Sequence, residues 1–402
     1  MPDSEDVIHD VIHTGAIRFR AFAAMAMAAS ALSIDSILPA FGDIRAELGL
    51  APGSSATAGL ITAFFIGLAL GQIPVGISAD RFGRRPVLVV SAAIYLVGVA
   101  GMSWSQSLGA MMISRFVWGV GAAGLRVAAL AMVRDRFIGA RMAREMAFVM
   151  AVFITVPVVA PLLGASILHF FSWRMVLVLS AAFGIILIGL TFFMPETLEV
   201  KNRQPFRFSQ LTRASRAIVQ SRSSLFYTLV LTAILGVFSS YLASSERIVG
   251  DIFNRKSQFP ILFGGVGVAM GVTSIVVGRN VERIGLVRVI RVAMVAYLTT
   301  TVALLVFVFA SGGAPSFWPF WVILTIVLTI HNVLFPNINS AAMIPLGHVA
   351  GTASAVVGTL STAVGALVGA VVDRAYDATV RPLTIAFVLS GVVGLFLTFR
   401  AE

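Results

Sequence analysis

No cysteine occurs among the 402 residues. That excludes disulfides, thiol nucleophiles and cysteine metal sites. Lysine is almost absent: Lys201 and Lys256 stand alone against 27 arginines. Neither completes a Gly-x4-Gly-Lys-Ser/Thr phosphate loop, which argues against ATP-driven pumping. Charge of either sign is scarce. Asp, Glu, Lys and Arg make up 12% of the chain, where a soluble domain carries about 25%. Gly-x-Ser-x-Gly nucleophile turns and His-Glu-x-x-His metal pairs are missing too. An embedded enzyme would want a cluster of His and acids inside its apolar runs, and none is present. No enzyme activity, metal or organic cofactor is therefore expected.

What is present is apolar. Hydrophobic residues form 58% of the chain, with mean hydropathy +0.96. This is the composition of an all-α integral membrane protein in contact with a lipid bilayer. A net charge of +11 would suggest nucleic acid in a soluble protein. Here the arginines fall in short gaps between apolar runs, as an inner-leaflet bias requires, so no nucleic-acid partner is expected. The first ten residues hold Asp3, Glu5, Asp6 and Asp10. This is the opposite of a basic signal-peptide start, so the first apolar run is expected to persist as a helix.

A spanning helix needs about 20 apolar residues. Twelve runs qualify: 17–41, 57–79, 86–104, 109–132, 145–168, 174–194, 223–245, 260–278, 286–311, 318–344, 351–373 and 381–399. Residues 1–194 then form one six-helix bundle and residues 223–402 a second. The polar, basic segment 195–222 joins them, with room for a surface-lying helix. If both ends of the chain face the cytoplasm, inside segments hold 20 Arg and Lys and outside segments hold 7. That bias favours cytoplasmic ends.

One pattern recurs. Gly76-Ile77-Ser78-Ala79-Asp80-Arg81-Phe82-Gly83 is matched by Gly278-Arg279-Asn280-Val281-Glu282-Arg283-Ile284-Gly285, an offset of 202 residues. Each reads glycine, three residues, acid, arginine, one residue, glycine. A motif repeated at half-length indicates a duplicated fold. Each copy reads as a tight turn at the membrane surface, and Arg84 and Arg85 extend the first. With cytoplasmic ends, both copies lie inside, where Gly76, Asp80, Arg81, Gly83, Arg84, Arg134, Glu282 and Arg283 are candidates for an inner gate. Glycines four apart, at Gly67/Gly71, Gly267/Gly271 and Gly365/Gly369, favour close helix packing over any substrate role.

Ionisable groups inside a membrane are costly and mark function. Asp35 stands well inside the first run, shortly before Pro39. A carboxylate in apolar surroundings is disfavoured in its charged form and can exchange a proton near neutral pH. The alternative is an interfacial pairing with a neighbour. Arg115 and Arg126 share the fourth run. Eleven residues at about 100° each bring them to nearly one face, and that face should meet protein or water. Arg115 is a partner for Asp35 or for substrate, or half of a structural ion pair. Arg126 lines a cavity, or else holds the inner gate or a helix end. Gln72 fits either a cavity wall or a helix–helix bond. In the tenth run, His331 and Asn332 are further cavity candidates, with structural hydrogen bonding as the competing role. Pro157, Pro161 and Gly164 bend the fifth run. They mark either a hinge between the bundles or a mere kink.

These residues resemble the major facilitator superfamily, and more narrowly its twelve-helix drug–proton antiporters of the Bcr/CflA type. The loop from Gly76 to Arg85 resembles the family's cytoplasmic gating motif. Arg115, Gly119 and Gly121 resemble its helix-four motif, whose arginine is implicated in proton transfer; Trp118 stands where a glutamine is usual. Pro157, Pro161 and Gly164 resemble a loose antiporter motif. Asp35 with Pro39 resembles the subgroup's helix-one acid and proline. Pro195-Glu196-Thr197 resembles the end of helix six. The resemblance implies two pseudo-symmetric six-helix bundles and a bacterial inner-membrane, proton-coupled secondary transporter. It would export small amphipathic compounds as a monomer, needing only the proton gradient. Transport of a metabolite, such as an organic anion or a sugar, is the alternative reading. A transport-inactive sensor comes third.

Overall fold

The computed structural model describes residues 4–51, 53–203, 208–313 and 315–401, with side chains from Ile17 onward at most positions. Arg207 of the basic linker and the side chains of Glu282 and the four N-terminal acids lie outside the described residues. Among the described residues, twelve helices are long and apolar enough to cross a membrane. They are α1 (Ser4–Asp35), α2 (Gly59–Phe82), α3 (Arg84–Trp104), α4 (Leu108–Arg136), α5 (Gly139–Phe170), α6 (Arg174–Phe192), α7 (Arg222–Arg247), α8 (Phe259–Ile284), α9 (Leu286–Ala310), α10 (Phe317–Met343), α11 (Ala350–Arg374) and α12 (Arg381–Arg400).

The duplication is visible in the packing. In the first half, α1 packs on α4, α5 and α6, while α4 also packs on α2 and α3, and α3 on α6. The same six pairings recur six helices later, from α7–α10 through α9–α12. The halves meet along α2–α11 and α5–α8, two seams that exchange under the same pseudo-twofold. Small residues make the close approaches possible. A Cβ at Gly67 would meet the Phe116 carbonyl of α4, and one at Gly369 the backbone of α7.

Two expectations are refined. The repeated motif is mostly helix. Helix α2 runs through Asp80, Arg81 and Phe82, and only Gly83 breaks it before α3 begins at Arg84. Gly83 and Gly285 adopt φ of 104° and 89°. Glycine takes such values without a Cβ penalty, which is why the bend needs one residue. In the linker, the helix Phe208–Gln220 lies against α11 and α7, with Ala214 and Ile218 buried and Arg213 and Arg216 exposed.

Candidate functional site

Helix α1 stops in mid-protein at Asp35. The cause is Pro39, which has no N–H to return to the Asp35 carbonyl. A short 3₁₀ turn, Leu38–Ala40, follows. The fold ties this broken end to α2, α4 and α5. The Arg115 guanidinium donates from Nη1 to the Ser33 carbonyl at 2.8 Å and from Nε to the Leu60 carbonyl at 3.3 Å. The Ser36 carbonyl lies where a Cβ on residue 164 would sit, so Gly164 is what lets α5 close over the broken end.

Asp35 is 3% exposed and makes no hydrogen bond among the described residues. Arg115 is fully buried within electrostatic reach of Asp35, yet the two form no salt bridge among the described residues. Burying either charge alone costs several kcal/mol. For Arg115 that cost is offset by its two carbonyl acceptors and by the faces of Phe64 at 4.5 Å and Trp118 at 4.8 Å. Trp118, the departure noted in the helix-four motif, therefore cushions the buried cation. Its ring also meets Tyr95 edge-on at 5.6 Å. The Ser33 hydroxyl donates to Tyr95 Oη at 2.9 Å. From the other half comes Tyr241 of α7, buried, within electrostatic reach of Asp35, its hydroxyl without a hydrogen bond. Asp35, Arg115 and Tyr241 thus bring both halves to one buried point.

The remaining candidates fall in different places. Half-buried Arg126 lies over the Phe153 ring at 5.3 Å, with no carboxylate partner among the described residues. The Gln72 amide abuts Gly358 on the α2–α11 seam. His331 is buried and stacked on Phe238 at 4.9 Å, its Nδ1 without a partner. Asn332 donates to the Met270 carbonyl at 3.0 Å and to Ser274 Oγ at 2.6 Å, tying α10 to α8. In α5, Pro157 is half-buried and Pro161 buried, and the helix continues through both. Val158, between them, packs on Gly264 and Gly267 of the other half. One face of α5 therefore holds the break of α1 while another forms the seam.

At the end of the bundle carrying Gly83, the first motif is wired to its own half. Arg84 donates to Asp80 at 2.5 Å and to Asp135 at 2.9 Å. The Glu196 carboxylate accepts from the backbone N–H groups of Arg84 at 2.9 Å and Arg85 at 3.1 Å, and from Thr197 and Leu198. Arg81 lies over the Phe82 ring at 5.1 Å, and Gly76 faces Val127 of α4. Arg134 is exposed while its neighbour Asp135 takes the bond to Arg84; Arg283 is exposed as well. At this motif end, no ion pair joins the halves among the described residues.

The opposite end differs. Arg45, next to the break in α1, reaches across to Glu246 at 2.9 Å and Asp251 at 3.2 Å. Lys256 crosses the other way to Asp43 at 3.1 Å. Arg45 and Glu246 are buried, while Asp251 and the Lys256–Asp43 pair are open to solvent, so the latch has a buried core and an exposed rim. Buried charged groups that the sequence did not mark include Arg45, Glu145, Glu246, Arg247 and Asp373, which lie near span ends, where charge is ordinary and carries no signal.

Two related six-helix halves, joined along two seams around buried charge and latched at one end, define a membrane transporter built for alternating access. Residues 23–370 match the Major Facilitator Superfamily, and the chain belongs to that superfamily. It is 27% identical to a bicyclomycin resistance protein homolog of Haemophilus influenzae, over 91% of this chain and 92% of that one. It is 28% identical to a chloramphenicol resistance protein of Pseudomonas aeruginosa, over 90% and 87%. Among solved structures, the Escherichia coli xylose transporter XylE superposes with a TM-score of 0.73 at 10% identity, over 95% and 96%. The human organic anion transporter MFSD10 superposes at 0.69 and 20%, over 96% and 99%.

Proposed function

We propose that this transporter exports small amphipathic, drug-like compounds across a bacterial inner membrane in exchange for protons. The single observation that carries the proton reading is Asp35: a carboxylate with no hydrogen bond among the described residues, on a broken helix, within reach of a buried guanidinium and of the second half. The export reading is supported by the names of the relatives, which are resistance proteins. In this reading the Gly83 end lies in the cytoplasm, and the Arg45–Glu246 latch closes the outer side. Asp35 holds a proton in one state and Arg115 compensates its charge in the other. Coupling arises because the two states bind that proton with different free energy. The experiment is uptake into proteoliposomes, with chloramphenicol and bicyclomycin as probes, under an imposed pH gradient. Accumulation abolished by a protonophore supports exchange. Accumulation indifferent to it means facilitated movement without proton coupling.

A second reading follows from Arg126, a cation over an aromatic ring with no carboxylate partner among the described residues. It suits an anionic or zwitterionic substrate. Arg126→Ala should then weaken acidic substrates and spare cationic ones; an equal loss of both removes this reading.

A further inference from the structure

A second buried acid and base face each other in the C-terminal half. Asp373 lies in the last turn of α11, and Arg247 ends α7. They are 6% and 2% exposed. One carboxylate oxygen of Asp373 accepts from the Ser240 hydroxyl at 2.8 Å, and the other has no partner. Arg247 is stranger: none of its three guanidinium nitrogens makes a hydrogen bond among the described residues, and the group lies over the Tyr376 ring at 4.1 Å. The two charges feel each other without forming a salt bridge among the described residues.

Both line a cavity of about 20 Å³, whose polar wall is Ser240, Ser244, Tyr376 and Thr379 and whose remaining wall is apolar. A single water needs about 10–15 Å³ and two to four polar partners. The walls supply both. We propose that Asp373, bridged to Arg247 through one water, is a second proton-binding site, and that filling it loosens the outer latch. The coupling is geometric. Arg247 follows Glu246 in the chain, and Glu246 is the residue that grips Arg45. Three charged groups lie within electrostatic reach of Arg247: Asp373, Glu246 and Arg45. While Asp373 is charged, Arg247 is held on the cavity side. When the free Asp373 oxygen takes a proton, Glu246 becomes the remaining anion near Arg247, and Arg45 must share it. Asp251 and the Lys256–Asp43 pair remain to restore the latch when the proton leaves. This inference rests on the alternating-access reading of the latch, and not on which compound is carried.

The absence of native cysteine makes the test clean. Ala51→Cys and Ser257→Cys place two spin labels on exposed positions of opposite halves at the latched end. Their distance is measured by pulsed electron resonance as the pH is lowered. The parent should shift toward the longer distance. Asp373→Asn should show the longer distance at every pH, and Arg247→Gln the shorter distance at every pH. A merely structural pair would give both variants the same sign. Asp35→Asn should keep the pH response while losing proton-driven transport. An Asp373→Asn curve that follows the parent overturns the proposal, as does a parent distance that ignores pH. If the parent transports nothing against a pH gradient while Asp373→Asn still removes the response, the export reading falls and this one stands.

Discussion

The two copies of the glycine-framed motif share a bend, an acid and an arginine, and differ at the residue that follows the bend. Gly83 and Gly285 both sit at positive φ. Around Gly83, Arg84 is buried and joins Asp80, Asp135 and, through its amide, Glu196. Around Gly285, the position equivalent to Arg84 is Leu286, so the hub of that network is missing. Duplication thus preserved the backbone device that turns one helix into the next. Among the described residues, the ion network of Arg84 has its hub in the first half, where the second half has a leucine. The same asymmetry appears deeper in the bundle, where the break of α1 at Asp35 gathers Arg115 and Gly164, while α7 runs on into a π turn at Ile248–Ile252.

Replacing the hub breaks this comparison hardest. Arg84→Leu makes the first copy resemble the second and strands two carboxylates. Both carboxylates are partly solvated, so the expected loss is about 2–3 kcal/mol of stability, read from denaturant unfolding in detergent. Gly83→Ala comes next, at about 1–3 kcal/mol. A Cβ there meets both an unfavourable φ and the Glu196 carboxylate. Gly285→Ala has the same φ problem with open space around it, and should lose less in the same assay. Glu196→Gln weakens the carboxylate cap on the amides of α3 and should cost about 1 kcal/mol. Arg283→Ala, exposed in the second copy, should stay within about 0.5 kcal/mol of the parent. If Arg283→Ala proves as costly as Arg84→Leu, the two copies are equally wired and the comparison fails.

Which features could be read in the sequence follows from the same physics. Spans and their pairing into halves were legible because lipid demands long apolar runs and a duplicated motif marks the repeat. Asp35 and Arg115 stood out because charge in mid-run is rare. That α1 ends at Asp35 was encoded by Pro39, yet the Ser33 carbonyl at the break is found by Arg115 only in three dimensions. Asp135 was hidden beside Arg134. At a helix end, one residue is a rotation of about 100°, and that angle decides which side chain meets Arg84. Glu246, Arg247 and Asp373 escaped notice because a charge near a span end signals nothing until its burial is known. Asn332, equally visible as a polar group in an apolar run, turned out to bond α8.

The central claim is that the charge on Asp35 couples protons to substrate. Its most direct test is substrate-driven proton movement in proteoliposomes, read with an enclosed pH-sensitive dye on adding chloramphenicol or bicyclomycin. The parent should move protons when substrate is added. Asp35→Asn, correctly folded and still binding substrate, should move none; full proton movement by that variant would contradict the account.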